Sequence, residues 1–254
     1  MSTTFQATLT CNGCGGQLQA ELYTNLHVSR SPERREQILA GQFMVYPCPH
    51  CGRSVHVQPS LLYTDFERFK WYAVFPTWAV RHRGELCRMV EEGFHANMEV
   101  QCAPMVRAWA PRMTKRALFG LPALREALLC DDHAIDLRAL QVFKVQLVRD
   151  LAPECFHPDT SFNLDGVEDG RLCFALAQPQ PGNLELVRRF GVRPEAMAPL
   201  LALGEELPLR FPAYYTSLAC DWRAPLNPDL PLTRDPLGGA RLRTPWMDGP
   251  ERPL

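Results

Sequence analysis

The chain has 254 residues, 46% of them hydrophobic, 22% charged and 9% aromatic, enough to bury a core as one large domain or two small ones. Its formal net charge is −1, which excludes strong non-specific binding to nucleic acid resting on global charge. Basic residues are lopsided, 24 Arg against Lys70, Lys115 and Lys144.

Met-Ser-Thr-Thr-Phe opens the chain without the charged and apolar pattern of a secretory signal. No stretch approaches the roughly 18 apolar residues of a membrane span. A cytoplasmic protein with no membrane association is the expectation. In that reducing setting the ten Cys read as metal ligands or buried thiols rather than disulfides.

Residues 5–10 and 17–28 alternate apolar and polar side chains, as Leu18, Ala20 and Leu22 against Gln17, Gln19 and Glu21, and predict strands. Between them lies Cys11-Asn-Gly-Cys14-Gly15. Ser31-Pro32-Glu33 predicts a helix start that runs to about Ala40 and stops at Gly41. Residues 43–46 lead as a strand into Cys48-Pro-His-Cys51-Gly52, and 53–58 leave as another. Two knuckles of this form, separated by 33 residues, offer four thiolates to one tetrahedral zinc ion. The metal ligands are therefore expected to be Cys11, Cys14, Cys48 and Cys51, holding one structural zinc. A redox dithiol accounts for one Cys-x-x-Cys but not for two, each ending in Gly and flanked by strands.

Further along, residues 69–75 predict an aromatic strand ended by Pro76. Leu86, Met89, Val90, Gly93 and Phe94 then place an amphipathic helix over 85–98. Pro122 opens another helix through Leu129. Asp136 caps a third, whose stripe of Leu140, Phe143 and Leu147 is expected to share a core with the Leu86–Phe94 face. An exposed, flat stripe there would instead suggest a homo-oligomer interface. Residues 164–176, broken by Glu168-Asp169-Gly170, predict a β-hairpin, and 194–203 a last helix. The final stretch, 225–254, holds seven Pro and no hydrophobic period, and reads as an irregular arm.

These pieces together resemble the CpXC family. The likeness is carried by Cys11-Asn-Gly-Cys14-Gly15, Asn25, Ser31-Pro32, Gly41, Cys48-Pro49-His50-Cys51-Gly52 and Leu61-Leu62-Tyr63-Thr64-Asp65. It continues in Phe119-Gly120-Leu121-Pro122-Ala123-Leu124-Arg125-Glu126 and the 136–147 helix, covering roughly 5–150. Asn12 replaces a frequent Pro, and Thr64 stands where His is expected, so an imidazole is missing there. The resemblance implies metal binding and no particular reaction.

The fold class expected is α+β: a zinc-ribbon-like antiparallel β unit with an inserted helix over 1–76, a helical region over 77–151, a hairpin and helix over 152–224, and the arm. The function expected is non-catalytic, a zinc-stabilised platform for protein partners presenting Tyr63, Trp71 and Tyr72. A second reading is nucleic-acid binding through the basic stretch 104–125, by Arg107, Arg112, Lys115 and Arg116, with Arg125, Trp109 and Phe119 nearby. A solvated basic face beside a core Trp explains the same residues.

A third reading is a cysteine-dependent enzyme. His82 with Cys87, or His95 with Cys102, is its candidate pair, and no orienting third group accompanies either. His50 reads as an exposed turn residue, Cys87, Cys130 and Cys173 as small buried hydrophobes, and Asp131, Asp132 and Asp136 as turn and cap residues.

Overall fold

The computed structural model describes residues 2–58, 60–151, 160–180 and 183–223. The arm expected over 225–254 lies outside them. The fold is mixed α and β, and the chain divides into two compact units, Met1–Leu124 and Arg125–Leu254.

The first unit is built on a five-stranded sheet. Strand β1 (Thr3–Thr10) pairs antiparallel with β2 (Gln17–His27), Ala7 opposite Ala20, and the first Cys knuckle closes this hairpin. Helix α1 (Pro32–Leu39) follows, with Pro32 in its first turn and its end at Ala40. Ser31 precedes it, but the Ser31 hydroxyl does not cap it. A short hairpin, β3 (Val45–Pro47) with β4 (Ser54–His56), carries the second knuckle. The chain then returns beside β2 as β5 (Leu61–Asp65), parallel to it, and turns into the antiparallel β6 (Lys70–Phe75).

Asp65 makes that turn, its carboxylate accepting the Glu67 and Arg68 N–H groups at 3.1 Å each. Helix α2 (Arg83–Phe94), a π-helical turn at His95–Val100 and α3 (Pro104–Trp109) connect β6 to the parallel β7 (Thr114–Phe119). The sheet order is β1-β2-β5-β6-β7. The stretch 77–151 read as helical therefore also contains a strand, buried within the basic segment.

Strand register sorts the two faces of this sheet. Leu26, Tyr63 and Tyr72 share one face, where the charge of Arg35 on α1 acts on the Tyr63 hydroxyl. Trp71, Lys115 and Ala117 share the other, where the Phe94 ring of α2 meets Trp71 edge-on at 5.3 Å. Tyr63, Trp71 and Tyr72 are buried. The aromatic surface expected from them is core, because a strand covered on both faces hides every side chain.

The second unit holds α4 (Leu121–Asp132) from Arg125 onward and α5 (Leu137–Leu151). Asp136 caps α5 as expected, accepting the N–H of Arg138 at 2.8 Å and of Ala139 at 3.0 Å. A three-stranded antiparallel sheet follows: β8 (Ser161–Glu168), β9 (Arg171–Gln180) and β10 (Asn183–Val192), in the order β10-β9-β8. The predicted hairpin is β8–β9, turning at Asp169-Gly170, both with positive φ. Short helices α6 (Ala198–Leu201), α7 (Glu206–Arg210) and α8 (Pro212–Tyr215) complete the unit.

Its core joins Leu140, Phe143 and Leu147 to Phe162, Phe174 and Trp222. The stripe on α5 thus packs in this core, whereas Val90 and Phe94 of α2 belong to the first unit and Met89 is 55% exposed. The shared core expected for the two helices does not form, because the sheet of the first unit supplies α2 with its apolar partner.

Candidate metal centre

Each knuckle is a tight turn held by its own backbone. The Cys11 N–H donates to the Gly16 carbonyl and the Gly15 N–H to the Cys11 carbonyl, both at 2.8 Å. The second knuckle repeats this with Cys48 N–H to Arg53 and Gly52 N–H to Cys48, also at 2.8 Å. Gly15 and Gly52 both sit at φ +72°, a left-handed conformation that a Cβ would strain. Matching sequences thus build matching turns, and the β1–β2 and β3–β4 hairpins point them at each other.

All four Sγ atoms lie within 4.8 Å of one another. Across the knuckles, Cys11 Sγ is 3.7 Å from Cys51 Sγ and Cys14 Sγ is 3.6 Å from Cys48 Sγ. A tetrahedron of thiolates with metal–sulfur bonds of about 2.3 Å has edges of about 3.8 Å, so the spacing suits an ion at the centre. Cys11 and Cys48 are buried, while Cys14 and Cys51 are exposed. The donor set is all sulfur and fills four positions.

The local field acts in opposite directions on the two thiols of the first knuckle. Backbone N–H groups of Gly13 and Cys14 draw the Cys11 thiol down to about 6, with Gly13 N to Sγ at 3.4 Å. The Gly16 N–H pulls on Cys14 likewise, but the crowding sulfurs of Cys51 and Cys48 outweigh it and push that thiol up to about 12. A divalent cation among four sulfurs this close would offset the charge that four thiolates bring together.

The family profile described as CpXC protein matches residues 9–144, more than half of the chain and both knuckles. The chain belongs to the CpXC family. No curated protein and no solved structure matched it.

The CpXC match runs through the basic stretch 104–125 as well. There the Arg112 guanidinium lies 3.7 Å over the Phe69 ring and Lys115 Nζ 4.6 Å over the Phe94 ring. Arg107 donates to the Val100 carbonyl at 3.2 Å and Arg116 to the Lys115 carbonyl at 2.8 Å. Lys115 and Arg116 are successive residues of β7 and so point to opposite faces of the sheet. Lys115 and Arg116 therefore do not share one basic face.

His95 and Cys102, one of the two Cys–His candidates, each bind another group. His95 Nδ1 is 2.7 Å from Glu99, and Cys102 donates to the Met98 carbonyl at 3.0 Å, each bound within its own turn of helix. His50 is exposed, with Nε2 3.2 Å from the Gln17 carbonyl. Among the described residues, the four knuckle cysteines are the one group placed to hold a metal ion.

Sequence reasoning missed a buried charge cluster in the second unit. Lys144 Nζ lies 2.8 and 2.9 Å from the two Glu126 oxygens and 3.0 Å from Gln141 Oε1. Glu126 also accepts from Gln141 Nε2 and from the Leu164 backbone N–H, both at 2.6 Å. That N–H sits where the β8–β9 ladder shifts register, between Leu164 and Gly166. The cluster thus satisfies a backbone donor next to a ladder irregularity.

Nearby, Asp221 and Arg223 pair at 2.6 Å, both buried. Burial pushes the Asp221 carboxyl up, but the Arg223 guanidinium outweighs it and holds it below the usual range. A lone Lys in an apolar helix, spaced three residues from a Gln, was the available signal.

Proposed function

We propose that this CpXC protein binds one zinc ion through Cys11, Cys14, Cys48 and Cys51, and that the ion is structural. The observation that carries the reading is the close packing of four sulfurs from two matching knuckles, all within 4.8 Å of one another. Four thiolates leave no position for a substrate or an activated water, so the metal clamps two hairpins rather than catalyses. Zinc ligation requires reduced thiols, which fits a cytoplasmic setting.

On that clamped scaffold we propose a non-catalytic interaction platform for protein partners. Its anchors are not Tyr63, Trp71 and Tyr72 but the large apolar side chains left exposed on the helical connection between β6 and β7. Trp78 is 67% exposed, Met105 66%, Met89 55% and Val100 53%. An exposed Trp and exposed, flexible Met side chains on one connection are the chemistry of an adaptable binding surface.

The test has two arms. Metal analysis of the purified chain is expected to return one zinc per molecule, lost in the Cys48→Ser variant; full occupancy in that variant would overturn the ligand set. Proteins that copurify with the native chain are expected to be lost with the paired Trp78→Ala and Met105→Ala changes while zinc is retained. Unchanged copurification would remove this surface as the platform.

A further inference from the structure

The five-stranded sheet has two edges, β1 and β7, and they are built differently. β7 carries Lys115 and Arg116, side chains that discourage pairing with another strand. β1, Thr-Thr-Phe-Gln-Ala-Thr-Leu-Thr, runs for eight residues with no charge and no proline. Its one register irregularity lies at Thr3/Thr4, leaving a regular run from Thr4 to Thr10. Among the described residues nothing pairs with its outer side. Phe5 is 50% exposed on it. A long, neutral, regular edge of this kind is a template for one more strand.

We propose that β1 pairs antiparallel with β1 of a second copy, joining two sheets across a two-fold axis that passes Ala7. The self-complementarity of the strand argues for this occupant. An axis perpendicular to the sheet keeps each residue on its own face. It sets Phe5 of one protomer against Leu9 of its partner, Ala7 against Ala7, Gln6 against Thr8 and Thr4 against Thr10. Apolar side chains meet apolar ones on one face, and hydroxyls and amides meet on the other. In a strand paired with itself a charge close to the axis lies near a copy of that charge, and β1 has none to repel.

Moving the axis to Gln6 would place Leu9 opposite Thr3, and moving it to Thr8 would bring Phe5 opposite Cys11 of the knuckle. Two strands alone bury less than the roughly 1,200 Å² of a stable dimer, so association is weak and reversible. The pairing is independent of zinc identity and of the surface around Trp78.

Sedimentation equilibrium of the full chain, from about 1 µM to about 1 mM, spans the range over which a weak dimer forms. A monomer–dimer equilibrium is expected. Gln6 and Thr8 are exposed in the monomer, and their exchange tests the register. The double variant Gln6→Lys, Thr8→Lys sets like charges opposite one another and is expected to weaken the dimer at least about tenfold.

The double variant Gln6→Lys, Thr8→Glu sets opposite charges in the same places and is expected to restore it. Circular dichroism of both variants checks that they fold. A monomer at every concentration would overturn the proposal and leave the edge to a strand from another protein. A dimer that ignores both variants, or that both weaken equally, would overturn it as well.

Discussion

At the scale of single residues, two clusters of titratable groups differ in burial: the knuckle sulfurs are half exposed, whereas Glu126 and Lys144 are enclosed. Protons compete with zinc for the knuckle thiols, so metal affinity falls as pH falls. Titrating the zinc-loaded chain with acid in the presence of a chromogenic chelator is expected to release the metal progressively below neutral pH. Release that ignores pH would mean the ligands are not thiolates.

In the second unit, Glu126 and Lys144 are each nearly inaccessible, 2% and 1% exposed. Lys144→Met leaves the Glu126 carboxylate buried without its cation and is expected to cost about 3–5 kcal/mol. Joint Glu126→Gln and Lys144→Met is expected to cost clearly less, and denaturant titration of the two variants measures the difference. Asp221 adds an acid dependence. Its folded carboxyl lies below its unfolded value, so its stabilisation is present above the ordinary carboxylate range and is lost as pH falls below it. The stability gap between wild type and Asp221→Asn is therefore expected to close on acidification.

At the scale of elements, α5 and α2 show what amphipathic spacing decides. Phe143 is 1% exposed and its ring centroid lies 6.5 Å from that of Phe174. Phe143→Ala is expected to cost about 3–5 kcal/mol by denaturant titration. Met89 stands half out of α2, and Met89→Ala is expected to change stability by no more than about 1 kcal/mol.

The spacing of Leu86, Met89, Val90 and Phe94 located the helix but drew its buried stripe too wide. The sheet below α2 takes only the side of the helix that carries Val90 and Phe94. β7 was hidden for a related reason. Thr-Lys-Arg-Ala-Leu-Phe has too few alternations to read as a strand. Its fit beside β6 rests on the parallel register of Trp71 with Lys115 and Ala73 with Ala117.

At the scale of the whole molecule, the four knuckle cysteines lie in the first unit and the Trp222 core in the second. Among the described residues no helix is long and apolar enough to cross a membrane. The nucleic-acid reading is decided by salt. A reader making about six phosphate contacts loses on the order of a thousandfold in affinity between 50 and 200 mM salt. With a net charge of −1 and Arg112 and Lys115 stacked on rings, weak and non-specific affinity is expected. A binding titration over that range, with wild type and with Arg107, Arg112, Lys115 and Arg116 changed to Ala, checks it. Tight binding abolished by the quadruple change would replace the platform with a nucleic-acid reader.

The two knuckles and their four cysteines were legible from the chain alone, because a Cys-x-x-Cys-Gly turn is short-range chemistry: five residues and their own hydrogen bonds set each pair of sulfurs. The α5 stripe, its Asp136 cap and the β8–β9 turn were legible for the same reason, since period and capping are local. Only the tertiary structure decided that Tyr63, Trp71 and Tyr72 are core, that Lys144 meets Glu126 inside α5's buried face, and that β1 is left as the uncharged edge. Those facts depend on which strands become neighbours. β2 beside β5, and β6 beside β7, are pairings between distant segments, fixed by the summed burial of many side chains rather than by any motif.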